Sequence, residues 1–254
     1  MNCSAQDVLG SLPVENVWRW YHRLATAIGA RKVGGAEPMA SRFLQLYVSP
    51  RSRFEPESFT APGYLREHSV LQSALAHHRA VYLSQEQMRT GAGGRAWAGI
   101  RPRWQDPGRF GWTKGAPMSM HYTALVEIPI RWQVTGNDAE RDILYALGLG
   151  FQLRTDVVCS VTPKTDELSV VFDSFEARVE DRYDFNFDEH FTVPNPDHKS
   201  AIAGAVCPGK ETIVVSHRNA QRMERSRLAA SYDLRSEGWT LSGSDLAGPG
   251  AVSL

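Results

Sequence analysis

The chain has 254 residues, 42% of them hydrophobic, and its 28 Lys and Arg side chains balance 28 Asp and Glu. That is the composition of an ordinary globular protein, long enough to bury a sizeable core in one large domain or two modest ones; a net charge of zero gives no basis for binding nucleic acid or an anionic membrane through bulk electrostatics. Residues 1–115 carry 15 basic against 8 acidic side chains and residues 116–254 carry 13 against 20, so regions of opposite sign are expected to present different surfaces.

The first seven residues, Met-Asn-Cys-Ser-Ala-Gln-Asp, have neither the basic nor the apolar stretch of a secretory signal. No uncharged run approaches the ~20 apolar residues of a bilayer-crossing helix. The chain is therefore expected to be made in the cytoplasm, and work outside the producing cell would need another export route. Cys3, Cys159 and Cys207 are few, odd in number and widely spaced, without C-x-x-C, and read as reduced thiols.

After Pro13, apolar Val17, Trp20, Tyr21, Leu24 and Ile28 recur at helical spacing, which predicts a helix capped at Asn16 and ending near Gly29. Gly34 and Gly35 break the chain. Pro38 opens a second helix with Met39, Phe43, Leu46 and Tyr47 on one face, closed by Pro50, and residues 51–62 read as loop. A longer helix is expected over about 63–88, with Leu71, Ala74, Leu75, His78 and Tyr82 sharing a face. Its histidines, His68, His77 and His78, lack the i, i+4 pair of a helical metal site and read as surface or core-edge side chains.

Residues 91–117 change character, interleaving Arg95, Arg101, Arg103, Arg109 and Lys114 with Trp97, Trp104 and Trp112. Such a stretch can hold a phosphate- or sugar-bearing ligand, since guanidinium forks onto phosphate and rings stack. Alternatively it is a covering loop packed by its own aromatics.

At Ser119 the period switches to two and predicts a long strand through Val134, bent at Pro129. Asn137 with Glu140 starts a short helix that ends at Gly148 or Gly150. Residues 152–161 and 168–180 then form a hairpin about Pro-Lys-Thr-Asp. Phe175, Ala177 and Val179 alternate inward, and continued extension puts Asp181 and Tyr183 on that face and Asp184 on the other. Residues 192–197 carry two prolines and read as loop; a further strand follows at 211–216, Asn219 is a candidate helix cap, a last strand falls within 232–241, and the tail reads as disordered.

The chemistry concentrates between Val179 and Phe191, where Asp181, Tyr183, Asp184, Asn186, Asp188, Glu189 and His190 crowd into ten positions. Carboxylates at that density raise one another's pKa unless a cation or hydrogen bonds offset them. A purely structural reading has Tyr183 anchoring the strand end and the acids in a solvated turn. Asp184, Asn186 and Asp188 repeat the first oxygen positions of an EF-hand loop, but Glu189 stands where that loop needs glycine and Asn195 where it needs glutamate. A divalent cation in another geometry stays open.

Asp181, Tyr183, Asp184 and His190 stand at D-x-Y-D-x-x-x-x-x-H, which resembles the catalytic signature of the colicin M family of bacterial toxins. The resemblance covers about 70 residues around the motif. It implies a C-terminal α/β unit on a curved, mainly antiparallel sheet, and hydrolysis of the peptidoglycan precursor lipid II between undecaprenyl and pyrophosphate, with a divalent cation, magnesium, as cofactor. It makes Asp181, Tyr183, Asp184 and His190 the catalytic set. The family pattern has Arg directly after the His, where this chain has Phe191; Arg218, with His217 beside it, is a candidate to bind substrate phosphate in its place, as is an Arg from the tryptophan-rich stretch 91–117. Asp184, Asn186 and Asp188 are the candidate metal ligands. The N-terminal helices and the segment Pro-Met-Ala-Ser-Arg-Phe-Leu-Gln-Leu-Tyr are similar to proteobacterial proteins encoded near type VI secretion genes. That implies manufacture in the bacterial cytoplasm, a secretion carrier, an immunity partner and action at a membrane surface in the target's periplasm.

The sequence thus predicts an α+β protein: helical residues 1–90, an Arg/Trp-rich connector 91–117, an antiparallel-sheet catalytic domain 118–241 and a disordered tail 242–254. An antibacterial lipid II hydrolase is the expected function. Its alternatives are a secretion-associated binding or adaptor protein, and another metal-dependent phosphoesterase or nuclease. G-x-S-x-G, the P-loop and a strand-borne G-x-G-x-x-G are absent.

Overall fold

Proline sets the start of three N-terminal helices. In the computed structural model, which describes residues 3, 7–49, 55–83, 109, 118–129, 137–148, 150–163, 167–185, 190–201, 204–241 and 250–253, Pro13, Pro38 and Pro62 precede α1 (Val14–Gly29), α2 (Met39–Tyr47) and α3 (Gly63–Arg66). Their fixed φ suits entry into the first turn. The expected continuous helix over 63–88 is instead two: α3 stops, and α4 (Ser69–Leu83) begins after His68, whose Nδ1 accepts from the amide of Val70 at 3.3 Å. The ring serves the new helix as a cap, so the apolar spacing continues while the backbone restarts. Residues 84–88 lie outside the described residues.

The architecture is α+β with a mainly antiparallel sheet. Seven strands run in the order β1 (Glu57–Phe59), β7 (Tyr232–Ser236), β4 (Glu167–Tyr183), β3 (Gly150–Pro163), β2 (Met118–Pro129), with β8 (Trp239–Thr240) and β9 (Gly250–Ser253) also pairing with β4. A separate antiparallel pair joins β5 (His190–Pro194) to β6 (Thr212–Ser216). Two more helices are α5 (Asp138–Leu147) and α6 (His217–Arg225). As the capping pattern predicts, Asn137 Oδ1 accepts from Ala139 N at 2.9 Å, and Gly148 ends α5 with a φ of 66°.

The chain folds into two compact units, each assembled from three stretches of sequence: one comprises Met1–Glu57, Arg131–Leu149 and Asp181–Leu234, the other Ser58–Ile130, Gly150–Glu180 and Arg235–Leu254. Apart from Arg109, the Arg/Trp-rich connector lies outside the described residues, as do residues 130–136 of the expected long strand.

In the first unit Trp20, Tyr21, Phe43 and Tyr47 are fully buried alongside Ile143, Val215 and Met223. Asp142 binds α5 to α2: its two carboxylate oxygens accept from the amides of Met39 and Ala40 at 2.9 Å each. They satisfy two of the amides that a helix start leaves open. In the second unit Phe151 and Leu153 of β3 share the core with Val170, Phe172, Phe175, Ala177 and Val179 of β4. The β3–β4 register steps over Asp173, which lets both Phe172 and Phe175 face inward despite odd spacing. On the polar face Glu180 accepts from Arg154 Nε and Nη2 at 2.9 and 3.1 Å, with Arg178 and Arg235 each at 3.3 Å.

Six further expectations are corrected. Residues 250–253 of the tail form β9, registered from Val170↔Gly250 to Glu167↔Ser253; Gly250 lies so close to Leu83 that a Cβ there would stand 2.6 Å from Leu83 Cδ1, so glycine marks close packing here. Residues 192–194 are strand, with Pro194 at its end, where the missing N–H is tolerated; β1 likewise falls in the expected loop 51–62. Asn219 does not cap: β6 runs straight into α6, Ser216 Oγ accepts from Arg218 N at 3.2 Å, and Asn219 is buried within the helix. His78, read as a surface or core-edge side chain, is fully inside, 2% exposed, with Nδ1 at 3.0 Å from Thr155 Oγ1, and burial pulls its pKa down to about 4. Finally, Cys3 and Cys207 are disulfide-bonded, their Cα atoms 5.6 Å apart across a sequence separation of 204; spacing alone could not show that the fold brings them together.

Candidate active site

Every described residue of the D-x-Y-D-x-x-x-x-x-H signature lies in the first unit. Tyr183 closes β4 and is 7% exposed. Its ring packs at 5.5–5.9 Å between centroids against Phe43, Tyr47, Phe185 and Tyr232, mostly edge to face. The aromatic cluster anchors the strand end, and burial drives the Tyr183 pKa far up, so this hydroxyl is neutral at ordinary pH.

Asp181, two residues back, has its pKa pushed up to about 8. Burial is the main cause; the Arg182 amide opposes it, and the negative charge of Asp184 adds to it. Asp184 follows the end of β4, and Arg182 Nε lies 3.5 Å from its Oδ2 while Arg182 Nη1 donates to Asp233 Oδ1 at 2.8 Å. The carboxyls of Asp184 and Asp233 thus share the Arg182 guanidinium at this strand end. Arg182 and Asp233 were missed in the sequence: Arg182 occupies a variable position of the signature, though its i, i+2 relation to Asp184 was there to be read, and Asp233 comes from β7 with no local signal.

His190 opens β5, exposed, and the register sets it opposite Ser216, the residue before His217. Phe191, which stands where the family pattern has Arg, packs its ring 4.6 Å from that of His217, and Phe185 lies 5.6 Å from the same imidazole. The departure from the pattern therefore has a packing role: Phe185, Phe191 and His217 form one aromatic wall. Arg218 is exposed in the first turn of α6. Asn186 and Asp188 lie outside the described residues. Among the described residues, no group of three or more His, Cys, Asp or Glu side chains converges as a metal site, and no helix is long and apolar enough to cross a membrane. No protein-family model, curated protein or solved structure matches the chain.

Proposed function

We propose that this chain is an antibacterial phosphoester hydrolase of the colicin M kind, cleaving lipid II between undecaprenyl and pyrophosphate. The observation that carries the reading is the pairing of Arg182 with Asp184 at the end of β4, close to a mostly buried Asp181 whose proton the charge of Asp184 helps to hold, in the compact unit that also holds His190.

Hydrolysis needs an activated water, charge stabilisation on phosphoryl oxygens and a proton for a poor alkoxide leaving group. Two carboxyls whose surroundings separate their proton affinities supply complementary roles. Asp181, protonated at neutral pH, gives its proton to the departing undecaprenyl oxygen as the ester P–O bond breaks. Asp184 orients the water whose oxygen forms the new bond to phosphorus, and His190 takes the proton that water releases. Arg182 and Arg218 bind phosphoryl oxygens, and Tyr183 holds the strand end in register with them. A divalent cation, magnesium in this proposal, would be held by Asp184, Asn186 and Asp188 and would neutralise pyrophosphate charge. The site would meet its substrate at a membrane surface, in the periplasm of a target cell, after delivery by a secretion-system carrier; an immunity partner would guard the producer.

Incubation with lipid II and magnesium tests this directly. Wild type should release a soluble pyrophosphorylated muropeptide, seen by mass spectrometry, and folded Asp184→Ala should not. Intact lipid II with wild type, after calcium and manganese have also been tried, rejects the proposal.

A further inference from the structure

An N-terminal strap lies across the unit that carries the site. Cys3 is bonded to Cys207. Asn219 Nδ2 donates to Asp7 Oδ1 at 2.7 Å, Val8 N to Val214 O at 3.4 Å, and Arg222 to the carbonyls of Gly10 and Leu12 at 3.1 and 2.6 Å. Val8 and Leu9 are buried, 3% and 0% exposed.

The receiving thiol is fixed independently of the strap. Asn195 Nδ2 donates to the carbonyls of Val206, Cys207 and Lys210 at 2.9, 2.9 and 3.0 Å. Asp197 Oδ2 accepts from Val206 N at 2.8 Å, and Arg23 grips the same carboxylate through Nε and Nη2, both at 2.8 Å. Cys207 is fully buried with a left-handed φ of 46°, a conformation that persists in a non-glycine residue where its surroundings over-determine it. One sulfur therefore has a set position, and noncovalent contacts of the strap bring the other to it.

We infer that Cys3 and Cys207 form an oxidation-dependent latch: the dithiol chain holds its strap on β6 and α6 by hydrogen bonds and burial alone, and oxidation ties it covalently to the loop that precedes β6. In the closing step the two thiols give up two protons and two electrons to a disulfide oxidant; the protein gains one S–S bond and the oxidant's S–S bond becomes two thiols. The latch does not depend on the reaction proposed above. It suits a chain made in a reducing compartment and used in an oxidising one.

The test equilibrates the full chain with glutathione disulfide or with dithiothreitol, then alkylates it under denaturing conditions and weighs it. The oxidised chain should carry one alkylated thiol, that of Cys159, and the reduced chain three. Reduction should lower the melting temperature by roughly 10 °C, as expected for a cross-link closing a very long loop, and raise deuterium uptake across residues 7–12. Cys207→Ser should melt and exchange as the reduced chain in either condition, with two alkylated thiols, and Cys159→Ser should melt and exchange as wild type, with none alkylated when oxidised and two when reduced; if Cys207→Ser does not fold, Cys3→Ala and reduced wild type make the same comparison. Three alkylated thiols after glutathione disulfide treatment, or identical melting and deuterium uptake in the two states, overturns the latch.

Discussion

Asp184 sits close enough to Asp181 for its negative charge to help hold the Asp181 proton in place, adding to the larger effect of burial. The folded chain keeps that proton up to about pH 8, whereas the ordinary value is 3.8. Between those limits the folded state binds more protons than the unfolded one, so stability is full below pH ~4 and falls as pH rises through the folded pKa. Asp181→Asn removes the titration. Its unfolding free energy from urea titration should match wild type near pH 4 and exceed it by about 1–3 kcal/mol at pH 8. Parallel midpoint profiles for the two proteins would count against a buried, protonated Asp181.

The same titration sets the expected pH dependence of turnover. If Asp181 supplies the proton to the leaving oxygen, kcat/KM falls as pH rises through about 8, because the acid form of the free enzyme is lost. Asp181→Asn should lower kcat by ~10²- to 10⁴-fold and abolish that alkaline limb. A variant more stable yet inactive would place the carboxyl in chemistry rather than in packing. Unchanged kcat in Asp181→Asn removes it from the mechanism.

Arg182 reaches both Asp184 and Asp233, at 3.5 and 2.8 Å. As a phosphate-binding guanidinium it should matter more to substrate capture than to stability, since its side chain is 57% exposed and exposed ion pairs contribute only ~0–1 kcal/mol. Arg182→Gln is expected to lower kcat/KM by roughly ten- to a hundredfold, mainly through KM, with its urea midpoint near wild type. Arg182→Lys should recover part of the loss. Loss of stability without a change in KM would mark Arg182 as structural.

Much of the site's neighbourhood is legible in sequence because it depends on local periodicity. The alternation of Phe175, Ala177 and Val179 carries β4 toward Asp181 and Tyr183, and Val17, Trp20, Tyr21 and Leu24 give away the buried face of α1. What was hidden depends on partners far along the chain. Asn219 reads as a cap until Asp7, 212 positions away, is seen to hold it inside α6. The odd cysteine count hides a bond between Cys3 and Cys207. Phe191 reads as a gap in a phosphate site until His217 and Phe185 are found against its ring. Gly250 reads as tail until Leu83 fills the space where a side chain would stand. In each case the deciding contact is nonlocal, and no window of sequence contains it.

Asp142 offers a test of how the helical part of the first unit supports the site. It is 3% exposed, and both its oxygens accept from the amides of Met39 and Ala40 that open α2. A carboxylate there meets the positive end of the helix dipole and makes charge-assisted hydrogen bonds, each stronger than a neutral one. Asp142→Ala leaves two amides unsatisfied in a buried place and should cost about 2–4 kcal/mol. Asp142→Asn keeps an acceptor but not the charge, and should cost about half as much. Because α2 carries Phe43 and Tyr47, which pack on Tyr183 at 5.9 Å each, the damage should reach the strand end. The near-ultraviolet circular dichroism of the aromatic cluster should weaken in the Ala variant before global unfolding, as measured along a urea titration at pH 7. An Ala variant with an unchanged urea midpoint and an unchanged aromatic signal would mean that α2 is positioned by its apolar face alone.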